Sequence, residues 1–254
     1  MTLPLRPASG EGPPHLPALG LPALYAACVL AYGGLAPATV WAWITLAAAG
    51  TAVVVGAIGR IVHPEPAGGA PHLERGPGAA RLFALAVGGA LVLIVAAGQL
   101  NRASLWLSPL PAALWVASGQ ARSRGGPGWV PALAQAMGPV AGWVAVRGIV
   151  EGPAWLLAAA TALWLGRGVD VRSPGTRLAH AGAVALWVMT GWACGRVGWY
   201  FGGIALAAAL LAWYHADAAR PAGDPAASRR VLIVHAAVGL SVLAGSLLDV
   251  VTAP

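Results

Sequence analysis

Lysine is absent from the 254 residues, and aspartate and glutamate together number only 8. A chain without lysine cannot contain the G-x-x-x-x-G-K-[ST] loop that cradles nucleotide phosphates, which excludes ATP-driven chemistry of that kind. Charged residues make up 9% of the chain, far below the roughly 25% of ordinary soluble domains, so the chain cannot build a solvated surface. The acids are Glu11, Glu65, Glu74, Glu151, Asp170, Asp217, Asp224 and Asp249, and no two stand three or four residues apart. Two carboxylates on one helix face would make a ready divalent-metal cage or an intramembrane acid relay, and neither arises here. The two cysteines, Cys28 and Cys194, lie far apart in separate apolar runs. That spacing excludes a disulfide framework or a metal knuckle and predicts two small buried side chains.

What the chain has instead is apolar length. Hydrophobic residues are 58% of the total and mean hydropathy is +0.73, while 35 glycines and 21 prolines follow no collagen period and punctuate the apolar runs. Cut at glycine, proline and arginine, the sequence yields nine segments: 17–35, 38–59, 82–99, 103–118, 129–146, 153–166, 178–195, 198–214 and 231–248. A helix needs about 20 residues to cross the hydrocarbon core, so most of these can span, the fourth and sixth being short enough to tilt or lie partly at the interface. The reading is an all-α integral membrane protein: residues 1–16 form a flexible cytoplasmic tail with no cleavable signal, and 17–254 form one transmembrane domain.

Every basic residue is arginine, 15 in all, for a net charge of +7. They are scattered singly with no basic patch, so nucleic acid is not an expected partner. Alternating the loops puts Arg6, Arg60, Arg75, Arg81, Arg122, Arg124, Arg167, Arg172, Arg177, Arg220, Arg229 and Arg230 on one side, and Arg102, Arg147 and Arg196 on the other. By the positive-inside rule the N-terminus is cytoplasmic and the C-terminus external. The connections 60–81, 119–128, 167–177 and 215–230 are the long ones, so chemistry is expected on the cytoplasmic face. Trp41, Trp43, Trp129, Trp143, Trp187 and Trp199 fall near span ends, as an aromatic belt would.

The most polar stretch, 60–81, contains two His-x-Glu pairs, His63 with Glu65 and His72 with Glu74. These are candidate metal ligands, but prolines flank both pairs and no helix fixes their geometry, so the loop is expected to be mobile and without a resident metal. His180, His215 and His235 lie at or within span ends, where interfacial or helix-packing roles are expected.

Several stretches are less generic. QLNRASLWLSP (99–109) resembles the L-N-x5-L-S-P segment of UbiA-type prenyltransferases, intramembrane enzymes that prenylate 4-hydroxybenzoate and related quinone precursors, and GPVAGWVAVRG (138–148) resembles that family's A-P-V-G-A-W-I-A-V-T-G. VGWYFGGIALAAALLAWYH (197–215) is similar to its L-G-W-x-Y segment ending in Y-x-H, and SLLDV (246–250) to its T-L-L-D-L. The resemblance runs from about residue 17 to the end and is greatest to the bacterial branch serving ubiquinone or menaquinone synthesis. It implies about nine helices around a cytoplasm-facing cavity in a bacterial-type inner membrane, with membrane lipid and a prenyl diphosphate or quinone-like lipid as partners, and Mg²⁺ as cofactor if the protein is active.

Set against the family's Asp-rich N-x3-D-x3-D motif, GRIVHPEPA (59–67) has Gly59, His63 and Ala67 at the ligand positions. In the second loop, LGRGVDVRSPGTRL (165–178) retains one acid, Asp170, and the Tyr-x-Tyr-x-Lys-Arg segment becomes ASGQAR with Arg122. One aspartate cannot replace the carboxylates that bridge Mg²⁺ to a diphosphate. Arg60, Arg122, Arg172 and Arg177 remain as candidate diphosphate-binding groups. The leading expectation is therefore a catalytically degenerate relative that binds without turnover. The alternatives are an active polyprenyltransferase with His63, Glu65, His72 or Glu74 as substitute ligands, and a small membrane transporter, disfavoured because no intramembrane charge marks a path.

Overall fold

A computed structural model describes residues 20–62, 77–123, 129–166, 173–217 and 226–252; within these ranges the side chains of 62, 77, 122–123, 129, 166 and 226–229 are not described. The elements are α1 (Leu21–Tyr32), α2 (Ala38–Val62), α3 (Pro77–Leu100), α4 (Arg102–Leu107), α5 (Pro109–Ser123), α6 (Trp129–Arg147), α7 (Gly152–Gly166), α8 (Pro174–Ala193), α9 (Trp199–Asp217) and α10 (Ala226–Thr252). No strand occurs among the described residues. Each of the nine apolar segments has become a helix, except that the fourth is broken into α4 and α5.

The break has a local cause. Asn101 leaves the helical path at φ −171° and caps α4, its side-chain oxygen accepting from the Ser104 N–H at 2.8 Å. Its Nδ2 donates to the carbonyls of Val144 and Ala145 at 2.8 and 3.0 Å, near the end of α6. Pro109 then opens α5 where a missing N–H is tolerated. One side chain thus starts a helix and satisfies carbonyls that would otherwise be costly in lipid. The α6–α7 connection is closed by Glu151, which accepts from the Trp143 indole at 2.8 Å and Arg147 at 3.2 Å. The Arg147 bond, followed by the Trp143 bond, holds its carboxyl below the usual carboxylate range.

Sequence neighbours pack as hairpins, α2 on α3, α6 on α7, α7 on α8 and α9 on α10, while α1 lies against α6 and α10 closes back onto α1. Lipid tails are as apolar as leucine, so such pairs hold through close backbone approach rather than hydrophobic burial. The glycines show where. A Cβ at Gly50 of α2 would stand 2.8 Å from the Gly89 carbonyl of α3, and one at Gly245 of α10 would stand 2.9 Å from the Gly203 Cα of α9. At Gly142 of α6 it would meet the Leu24 carbonyl of α1.

Trp164, Trp187, Tyr200, Leu157 and Trp143 fill the interior between α6–α10 and α1. Trp143 and Trp187 were expected in an aromatic belt; at 4% and 2% exposure they are core residues, because their indoles fill the space that small residues elsewhere leave open. Trp199, 56% exposed, does face outward. Cys28 is buried as expected and Cys194 half-buried, and both are free thiols. Phe83, Leu91, Val95, Trp106, Leu178 and Trp192 stand exposed around the bundle, a surface that water does not tolerate and lipid does. Ala38–Ile61, Gly78–Leu100 and Arg230–Thr252 are long and apolar enough to cross a bilayer, and Leu21–Tyr32 and Gly152–Leu165 are apolar but shorter. The chain is a multi-pass membrane protein.

Asn101→Ala should cost about 1–3 kcal/mol, since it removes a cap and two carbonyl donors together. Asn101→Asp keeps the cap but not the donors and should retain part of the loss. Thermal unfolding in detergent ranks the three proteins, and an Asp variant as stable as the parent would contradict the donor role.

Candidate functional site

A cavity of about 640 Å³ lies between α1, α2, α3, α4, α5 and α6. Along α2 its wall runs from Ile44 through Thr45, Ala48, Ala52 and Val55 to Gly56, about 18 Å at the helical rise of 1.5 Å per residue. Leu24 and Tyr25 face it from α1, Leu93 and Ala97 from α3, Trp115 from α5, and Met137, Gly138 and Ala141 from α6. The room comes from the alanines and glycines of these helices.

Three of the hydroxyls around it are spent on the walls, whereas the buried Ser104 Oγ, also in the lining, has no hydrogen-bond partner among the described residues. Thr45 Oγ1 donates to the Trp41 carbonyl at 2.8 Å, so the 2.8 Å contact between Tyr25 and Thr45 has the tyrosine as donor. Thr51 donates to the Ala47 carbonyl at 2.9 Å and Ser108 to the Leu105 carbonyl at 2.9 Å. Such bonds leave the enclosed face largely apolar, and its volume falls in the range of small-molecule sites. The arrangement suits a long apolar chain.

The sequence-derived candidates distribute unevenly. Gly59 and Arg60 lie in the last turn of α2, one turn past Gly56, so they follow directly from the cavity wall; Arg60 is exposed and Gly59 half-buried. A Cβ at Gly59 would meet nothing within 4 Å. Arg122 lies in α5, seven residues beyond Trp115, with its side chain outside the described set. Because α2 packs on α5, the helices carrying Arg60 and Arg122 are neighbours. Arg177 is exposed in the first turn of α8, and α8 contributes nothing to the cavity lining. His63, Glu65, His72, Glu74, Asp170 and Arg172 lie outside the described residues. Among the described residues, no three His, Cys, Asp or Glu side chains converge as a metal site requires.

No family model and no curated protein matches the chain. A solved structure does: the apo structure of a UbiA homolog from Aeropyrum pernix K1 is similar at TM-score 0.71 and 20% identity, covering 92% of this chain and 98% of that one. The fold is UbiA-like. Within the UbiA-like fold the cavity-lining residues Ala48, Ala52, Gly138 and Ala141 had not been singled out from sequence, although runs of alanine and glycine inside a span are the signal that finds a thin wall.

Since nothing occupies the space beside Gly59, Gly59→Ala should gain up to about 1 kcal/mol from helix propensity alone. A raised thermal midpoint is the expected result, and a lowered one would mean that the site tolerates no side chain.

Proposed function

We propose that this protein is a relative of the aromatic prenyltransferases of quinone biosynthesis that keeps the isoprenoid-binding cavity and lacks efficient Mg²⁺-dependent prenyl transfer. It sits in a bacterial-type inner membrane with its N-terminus in the cytoplasm and the cavity open to that face, a topology supported by the division of twelve arginines against three. The observation that carries the reading is an apolar cavity of about 640 Å³ whose α2 wall runs to Gly56, one turn before Gly59, where the resemblance calls for a ligand-bearing asparagine.

The described residues at this end do not fit Mg²⁺. The ion takes near-octahedral oxygen ligands, usually one or two carboxylates plus phosphate oxygens. Gly59 offers no side chain, and the described acid toward the arginine-rich end, Asp217, stands 3.9 Å from the Arg230 guanidinium. Arg60 and Arg122 hold a phosphate through charge and paired N–H donors without any metal. They fix a diphosphate headgroup at the mouth while the walls take its tail. Without a metal to stabilise the leaving diphosphate the barrier rises by several kcal/mol, and each 1.4 kcal/mol is tenfold in rate.

The test incubates purified protein with a prenyl diphosphate, Mg²⁺ and a panel of aromatic acids. The expected result is no prenylated product above background, with weak, salt-sensitive binding of the diphosphate that falls when Arg60 or Arg122 is changed to alanine. Robust Mg²⁺-dependent turnover would overturn the reading and return attention to His63, Glu65, His72 and Glu74.

A further inference from the structure

The half of the bundle that does not line the cavity gathers three of the six histidines. His180 of α8, His215 of α9 and His235 of α10 meet at the end where α7 stops and α8 starts, and His180 and His235 are only 3% and 4% exposed. His180 Nε2 lies 3.2 Å from the Trp164 carbonyl, which can only accept, so that nitrogen carries the proton. Nδ1 of the neutral ring then accepts from His215 Nε2 at 2.9 Å. His235 Nδ1 donates to the Val231 carbonyl at 3.0 Å. The His180 ring centroid is 5.0 Å from that of His215 and 5.7 Å from that of His235. Tyr214 packs against all three, and its buried hydroxyl has no hydrogen-bond partner.

These contacts sit on a seam. α8 leans mainly on α7 and α9 mainly on α10, so the α8–α9 junction is the thinner one. The His180–His215 bond crosses it at one end, and at the other the Tyr200 hydroxyl donates to the Trp187 carbonyl at 2.9 Å. The two crossings differ in one respect: only the first depends on a histidine staying unprotonated.

We propose that His180, His215 and His235 form a proton-operated clasp, which closes the α8–α9 seam at the arginine-rich end when neutral and releases that end when protonated. The 2.9 Å bond tolerates a single added proton, on His215, because an imidazolium there still donates to His180. A second proton sets N–H against N–H and places like charges about 5 Å apart in a poorly screened interior. Among the described residues the groups facing the cluster include one carboxylate. Trp164 on α7 is uncharged and Arg177 on α8 adds positive charge; on α9 Tyr214 is neutral and Asp217 is ion-paired with Arg230 of α10. The Trp187–Tyr200 end has no histidine, its nearby titratable group being Asp249, whose carboxylate accepts from the Tyr200 N–H at 3.4 Å, and it serves as the hinge.

Spin labels report the opening directly. With Cys194→Ser to remove the half-buried thiol, labels at Leu178→Cys and Ala216→Cys, both exposed, straddle the clasp, while Met189→Cys and Gly202→Cys straddle the hinge. Distances by pulsed electron resonance in lipid nanodiscs are compared at about pH 8 and about pH 4, a span wide enough to charge buried as well as exposed histidines. The expected result is a reversible lengthening of the first distance with the second unchanged, and loss of that lengthening in the double variant His180→Gln and His215→Gln. No change in the first pair overturns the proposal. So does an equal change in both pairs, or a response that persists in the double variant. Should that variant fail to fold, the two pairs in the parent background decide the matter alone.

Discussion

The close approach of helix backbones at glycine is the constraint on which the rest of this structure depends. A bilayer gives apolar side chains no reason to prefer each other over lipid, so pairs such as α2–α3 and α9–α10 gain their stability from dispersion and backbone contact at short range. Gly50 against Gly89 and Gly203 against Gly245 bring two helices so near that no larger residue fits. With the pairs locked in this way, where the bundle is hollow and where it is solid is decided by side-chain volume alone. Alanine and glycine on α2 and α6 leave a cavity, whereas Trp164, Trp187 and Tyr200 pack the interior between α7, α8 and α9.

That division separates two kinds of chemistry. The hollow half offers a largely apolar space, most of its hydroxyls tied to wall carbonyls, and α2 leads from it to Gly59 and Arg60. The solid half keeps its titratable groups in contact with one another. The fold that joins the two halves is UbiA-like, and on the proposed reading fold and activity part company at a handful of loop positions.

Much of the architecture was legible beforehand because apolar length and punctuation are physical requirements of a span. The α4–α5 break was not read, since it turns on the Asn101 side chain reaching α6, a contact between positions more than forty residues apart. The tryptophans were half legible: amphipathic rings at span ends serve a membrane interface or a core equally well, and only neighbours decide, as Trp199 and Trp187 show. His180, His215 and His235 each read singly as an interfacial or helix-packing residue. Their meeting was implicit in the alternation of spans, which puts the start of one helix, the end of the next and the start of the third on the same side. The cavity walls were hidden for another reason, because alanine signals only the absence of bulk.

The claim that the cavity holds an isoprenoid lipid is tested most directly by identifying what leaves the bilayer with the protein. Lipid is extracted from the purified chain and from a variant with Ala48→Phe and Ala141→Phe, two substitutions aimed at the cavity lining, and both extracts are read by mass spectrometry. The account predicts an isoprenoid lipid in stoichiometric amount with the parent and its loss from the variant. Bulk phospholipid alone in both extracts would contradict it.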